Sequence, residues 1–402
     1  MFRKPSAMVL AMVLSGAGAG LGAKTPAPVP APASTWQMDR AVVVMRHGIR
    51  PPTKAAALPA GMAPAPWPAW DVGWGELTHH GAKAVALLGR FDGARYARLL
   101  GAGCPATGAV HAVADVDQRT RATAAAYLAA LKPGCQLAAE SLADGAVDPR
   151  FSPFEANPLA DAPTALASAR AALPQGGEGA LDRALAGQWH QIDAILDCHS
   201  PACSIASRPT ALDVARGRVK LSGALALGGS FAETLALEYA DGKPLAEVGW
   251  GRAGRAQITQ LLALHAGEFA LTARPPVLAR AGARALLAEV AGALTAARGP
   301  RFSLFVGHDT NLAVLGGALG LHWQARQFAP DDPPPGAALL FERWHDGHGH
   351  YRLTIALRSQ SLDEMRDLTA PGAGAVTVLR QITCAGHRGC TTGALGAALG
   401  QP

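Results

Sequence analysis

Val42-Val-Val-Met-Arg-His-Gly-Ile-Arg-Pro-Pro-Thr-Lys54 opens as an unbroken apolar run and ends in a histidine set between two arginines, Arg46 and Arg50. A short run of this kind, rich in β-branched residues, marks a strand buried on both faces, as in sheets covered by helices on either side. Guanidinium groups match phosphate oxygens in paired hydrogen bonds. Their fixed charge also disfavours protonation of a neighbouring imidazole, so His47 reads as a nucleophile already inside an anion pocket.

Two other segments share this form. Arg301-Phe-Ser-Leu-Phe-Val-Gly-His-Asp-Thr-Asn311 is again an apolar strand that opens through glycine onto titratable residues, His308 and Asp309. Val110-His-Ala-Val-Ala114 is a third strand, with His111 in the core, followed by Asp115, Asp117, Arg119 and Arg121 at the start of a helical run over Thr120–Leu131. A further helix is expected over Gly81–Leu88, and Asp117 is placed to cap the one after it. In open parallel sheets, ligands bind outside the carboxyl ends of the strands, so three such ends delivering Arg, His and Asp converge on one crevice. The expected fold is α/β, a mainly parallel central sheet flanked by helices.

Arg46-His47-Gly48-Ile49-Arg50-Pro51-Pro52 together with His308-Asp309 resembles the histidine acid phosphatases, the acid branch of the histidine phosphatase superfamily, over about Met38 to Cys390. Thr53-Lys54, Asp117-Gln118-Arg119-Thr120-Arg121 and Thr310-Asn311 make the chain most similar to the periplasmic bacterial phytases within that family. The resemblance implies a phosphomonoesterase of phosphoglycerate-mutase-like core with an inserted helical cap. It implies His47 as nucleophile and Asp309 as proton donor, with Arg46, Arg50, Arg121 and His308 holding phosphate and Thr53 and Lys54 adding substrate contacts. Glucose-1-phosphatases of the family tend to carry a bulkier residue where Gly48 stands, so the resemblance also implies room beside the nucleophile for a large, highly phosphorylated substrate such as phytate. Glucose-1-phosphatase or broad acid phosphatase activity is the alternative. Two rival classes are a phosphoglycerate-mutase-like transferase and an anion-binding protein without chemistry. No metal or other cofactor is expected, since the arginines supply positive charge.

Residues 1–23 begin with Arg3 and Lys4, continue as an apolar run from Ala7 to Leu21 and contain a small-residue cleavage site after Ala17-Gly18-Ala19, the signature of a secretory leader. An alternating Pro/Ala linker over 24–35 follows, so the mature chain is expected in the periplasm or outside the cell, as a monomer. With 402 residues, 49% hydrophobic content and a net charge of +6, the chain builds a sizeable core but has no basic run interleaved with aromatics and no later apolar segment of membrane length. Nucleic-acid partners and membrane insertion are therefore not expected; a small phosphate ester is.

Six cysteines fall into local pairs, Cys104 with Cys135, Cys198 with Cys203, and Cys384 with Cys390. Export favours disulfides, though fifteen pairings are open to six cysteines. Asp346-Gly347 between two apolar runs reads as a hairpin turn, so His345, His348 and His350 are expected on its surface rather than around a metal. The core is expected over 36–148 and 285–402, interrupted at 149–284 by an almost wholly helical cap, where Glu233, Trp250 and Arg252 are candidate substrate contacts.

Overall fold

The computed structural model describes residues 36–54, 58–156, 159, 161–296 and 298–385. The expected leader, the linker and the pairing of Cys384 with Cys390 lie outside them. The chain enters through β1 (Gln37–Arg46), α1 (His79–Arg95), α2 (Ala97–Leu100), β2 (Val110–Ala114) and α3 (Gln118–Leu131). It then runs through α4 (Pro153–Ala156), α5 (Ala162–Arg170), α6 (Gly177–Ala184), α7 (Ala186–Ile195), the strands β3 (Ala211–Ala215) and β4 (Arg218–Ser222), α8 (Ala224–Ala240), α9 (Arg255–Thr272) and α10 (Pro276–Thr295). It closes with β5 (Phe302–Gly307), α11 (Asp309–Leu319), β6 (Ala338–His345), β7 (His350–Arg358), α12 (Leu362–Arg366) and β8 (Val376–Ala385).

The main sheet has the order β2-β5-β1-β6-β7-β8. β1 and β2 pair in parallel with β5, while β6, β7 and β8 extend the sheet as an antiparallel meander, so β1, β2, β5 and β7 share one direction. Alternate side chains of β1 point to opposite faces. Val42 and Val44 join a core containing Leu312 and Leu315 of α11 and Leu286 and Val290 of α10. Val43 and Met45 join a second core with Val85 and Leu88 of α1 and Tyr127 and Leu128 of α3. Each such side chain, fully buried, contributes roughly 1.5–3 kcal/mol, which is why the stretch Ala41–Met45, buried on both faces, carries no polar residue.

Register places the site. Arg46 lies opposite Gly307 and Ala114 opposite Val306, so the chain leaves all three parallel strands at one level, bringing Asp115, His47 and His308 together. Backbone bonds hold this edge: His47 N–H donates to Gly307 O and Asp115 N–H to Val306 O, at 2.9 and 3.0 Å.

Between the two parts of the core the structure departs from the expected helical cap. β3 and β4 form an antiparallel ribbon whose turn residues, Arg216 and Gly217, both have positive φ, 52° and 68°. Such a two-residue turn matches the natural twist of a hairpin. Leu212 and Val214 flank the polar Asp213 on one strand, and Val219 and Leu221 alternate with Arg218, Lys220 and Ser222 on the other, a short signal easily lost beside long helices. α10 runs without interruption past residue 284 and packs on α11.

Disulfides join Cys104 to Cys135 and Cys198 to Cys203. The first closes a loop with a sequence separation of 31, the second one of 5; by chain entropy alone these contribute about 4 and about 2 kcal/mol. The β6–β7 hairpin turns at Asp346-Gly347 as expected, and His350 Nδ1 meets Asp346 Oδ2 at 2.6 Å. Among the described residues no helix is long and apolar enough to cross a membrane.

Candidate active site

A cavity of about 380 Å³ opens at the carboxyl ends of β1, β2 and β5, and His47, Arg50, Arg119, His308 and Asp309 line it. His47 Nδ1 lies 2.8 Å from the carbonyl oxygen of Gly48. That oxygen can only accept, so Nδ1 carries the proton and Nε2 keeps its lone pair. Burial, then Arg50, Arg46 and Arg119, hold the imidazole pKa well below its ordinary value and so favour its neutral form.

Arg46 lies one layer deeper, fully buried. It donates to Pro333 O at 2.5 Å, to Asp309 Oδ2 at 3.0 Å and to the Glu233 carboxylate, which also accepts from Arg50 at 3.2 Å. Asp309 is the first residue of α11, following the extended His308, and its Oδ1 accepts the Thr310 N–H at 2.7 Å. Burial opposes its ionisation, yet the charges of Arg46, His265 and Arg50 outweigh burial and hold its carboxyl well below the usual carboxylate range. The helix N-terminus adds to this.

On the opposite wall, His308 Nε2 meets Asp115 Oδ2 at 2.6 Å, and Arg119 reaches to 3.5 Å from His308 Nδ1. Asp117 occupies the N-cap position of α3 but makes no side-chain cap bond; its carboxylate turns into the cavity and binds Arg119 at 2.7 Å. The expectation that Asp117 acts as a simple cap is corrected accordingly.

Arg121 needs a second correction. It pairs with the exposed Asp144 outside the cavity, and Arg119 occupies the wall instead. Two residues apart on a helix is a rotation of about 200°, so only one of the pair can face the strand ends. The buried stripe Thr120, Thr123, Ala124, Tyr127 and Leu128 fixes the phase: Gln118, Arg121, Ala125 and Ala129 fall on the solvent side.

Gly48 needs a third. A Cβ there would meet Val85 Cγ2 at 2.7 Å and Leu77 Cδ1 at 2.8 Å, so its missing side chain makes room for packing against α1 rather than for substrate. Thr53 and Lys54 are exposed and do not line the cavity. Nor do Trp250, packed on Trp67 with ring centroids 4.8 Å apart, and Arg252, paired with Asp197 at 3.2 Å. Of the cap candidates only Glu233 reaches the inner ring.

His265 of α9 escaped the sequence reading. It is buried, its Nδ1 lies 2.6 Å from Asp332 Oδ1 and its Nε2 4.0 Å from Glu233. Burial opposes its charge, but Asp332 prevails and raises its pKa to about 9. A histidine in the apolar run Leu261 to Phe269 was the available signal; its acidic partner, 67 residues away, was not visible from spacing.

Two groups of side chains could hold a metal by distance: Asp115, Asp117 and His308, and Glu233, His265 and Asp309. Their donors already face cations. Arg119 sits on Asp117, Arg46 on Glu233 and Asp309, and a protonated His265 has no lone pair to give. The chemistry this arrangement supports is anion binding by Arg50 and Arg119, attack by a neutral imidazole, and proton transfer by a carboxyl group.

The sequence profile of the histidine phosphatase superfamily (branch 2) matches residues 37–162 and 269–360. Phytase AppA of Escherichia coli is 36% identical over 362 residues, 83% of each chain, and the glucose-1-phosphatase of Salmonella typhimurium is 28% identical over 360 residues, 83% of this chain and 84% of that protein. A Klebsiella phytase structure superposes with a TM-score of 0.82 at 30% identity, covering 93% of this chain and 98% of that one. Hafnia alvei phytase in complex with myo-inositol hexakis sulphate gives a TM-score of 0.78 at 31% identity, covering 87% and 92%.

Proposed function

The chain belongs to the histidine phosphatase superfamily (branch 2), whose members of this kind hydrolyse phosphate esters, and we propose that this enzyme is an exported phytase working through a phosphohistidine on His47. The observation that carries the proposal is the locked tautomer of His47. Its Nδ1 is committed to Gly48 O and its Nε2 is free beside Arg50 and Arg119.

In the first step Nε2 attacks phosphorus and the bond to the leaving oxygen breaks. Arg50 and Arg119 hold the non-bridging oxygens, Arg46 supplies fixed charge from beneath, and His308, held by Asp115, orients the wall. The leaving alkoxide takes the proton of Asp309. In the second step the Asp309 carboxylate accepts a proton from water as the water oxygen attacks phosphorus, and the P–N bond to His47 breaks to release phosphate.

Asp309 is ionised in the empty site, so it must gain its proton as substrate arrives. An incoming phosphate competes for the guanidinium charge that depresses the Asp309 pKa, and its own negative charge raises that pKa. The protonated, productive complex is favoured below neutral pH. A kcat that falls from acid to alkaline pH is expected; a profile flat into the alkaline range contradicts the assignment.

Phytate as substrate is supported by likeness to the Escherichia coli, Klebsiella and Hafnia phytases. Export is supported by the leader-like 1–23 segment and the paired cysteines. Assay of the mature protein with phytate, glucose 1-phosphate and p-nitrophenyl phosphate in acid, with and without excess chelator, tests the reading. Higher kcat/KM for phytate, unchanged by chelator, is the expected result. Preference for glucose 1-phosphate would assign the enzyme to the other activity found among its relatives.

A further inference from the structure

We propose that Arg218, at the base of the β3–β4 turn, binds a phosphate of the substrate other than the one transferred, and that Glu155 occupies it until substrate arrives. This rests on the polyphosphate reading above and deepens it. Among the described residues lining the cavity, the cations fall into two tiers. Arg50 and Arg119 crowd the nucleophile, with the carboxylates of Glu233 and Asp117 against them. Arg218 stands apart on the cap side of the same cavity, with Glu155 Oε1 at 3.5 Å.

Three features make Arg218 a built contact. The Arg216-Gly217 turn fixes the ribbon register, pairing Ala215 with Arg218. Leu159 N–H donates to Gly217 O at 2.9 Å, tying the ribbon tip to the segment that follows α4 and its Glu155. The Arg218 and Glu155 side chains are 44% and 58% exposed, so the pair is hydrated, weak and readily exchanged for a phosphate, which offers a guanidinium more charge and a bidentate fit. Lys54, which the sequence offered for this role, is absent from the cavity wall.

A monoester of a neutral sugar has nothing to place on Arg218; an inositol ring bearing several phosphates does. The test uses the full mature enzyme with p-nitrophenyl phosphate as reporter and two inhibitors, myo-inositol hexakissulfate and inorganic phosphate. Its readout is the ratio of their Ki values, which does not require that phytate be a substrate. Arg218→Ala is expected to raise the ratio of hexakissulfate Ki to phosphate Ki about tenfold, the equivalent of one charge-assisted contact, with Arg218→Lys between it and the wild type. Glu155→Gln is expected to lower the ratio, since it removes both a competitor for Arg218 and a repulsive charge. Equal shifts in both Ki values, or no shift in either, overturn the proposal. Failure of the wild-type enzyme to hydrolyse phytate would instead overturn the substrate reading and leave this ratio to be judged on its own.

Discussion

At the floor of the cavity Arg46 meets Asp309 at 3.0 Å, with side chains 2% and 15% exposed, whereas at the rim Arg218 meets Glu155 at 3.5 Å with both side chains well in water. The same two functional groups therefore do different work. Breaking a buried pair by removing one partner strands a charge and costs about 3–5 kcal/mol, while exposed pairs are worth roughly 0–1 kcal/mol. Floor charges are thus fixed parts of the machine, set before substrate arrives; rim charges are exchangeable and suited to reading what the substrate carries.

Substitutions sharpen this contrast. The largest effect is expected at the floor, where His47→Ala removes the nucleophile and should lower kcat by about 10⁴-fold or more for every substrate. Asp309→Asn should follow, with a loss in kcat/KM, which reports only the steps up to phosphoryl transfer, of about 10²–10⁴-fold for phytate or glucose 1-phosphate, whose alkoxides need a proton. The loss should be far smaller for p-nitrophenyl phosphate, whose leaving group does not. Equal losses for both would remove Asp309 from the acid role.

Next comes the comparison of Arg119 with Arg121. Arg119→Ala should lower kcat/KM by about 10²–10³-fold, as for loss of one transition-state donor. Arg121→Ala breaks only an exposed pair with Asp144 and should stay within about twofold. The reverse order would mean that the helix phase read from the buried stripe does not describe the working enzyme.

A smaller effect, on stability, comes from His265. Its folded pKa of about 9 exceeds the ordinary 6.5. The stabilisation, about 3 kcal/mol, is therefore fully present below pH 6.5 and lost as pH rises through 9. Asp332 and Glu233 face the imidazolium, and Arg46 opposes them. Denaturant unfolding of wild type and His265→Gln at pH 5.5 and 9.5 should show the gap shrinking by about that amount. A gap that widens with pH would reverse the sign and exclude a charged His265.

The two tiers also differed in how far the sequence revealed them. Val42–Met45, Val110–Ala114 and Phe302–Gly307 are legible as strands because they are short, mainly apolar runs, with only His111 and Ser303 as polar members, and their shared ending in Arg, His or Asp pointed to one crevice. Arg119 was misassigned to Arg121 because charge alone does not give helix phase; the stripe of Thr120, Thr123, Ala124 and Tyr127 did, and had to be weighed first. Gly48 looked like open space because a glycine's missing side chain has no visible direction in a sequence, and here it points at Val85. His265 with Asp332 and Arg218 with Glu155 depend on contacts between distant segments, which neither periodicity nor local spacing encodes.

The central claim is that the neutral Nε2 of His47 takes the phosphoryl group. Rapid mixing of enzyme with ³²P-labelled phytate, alkaline quench and peptide mapping tests it most directly, because phosphohistidine survives base. A label, at most one per chain, is expected on the peptide containing His47 and on no other. Full turnover without a labelled peptide, or a label on any other residue, would contradict it.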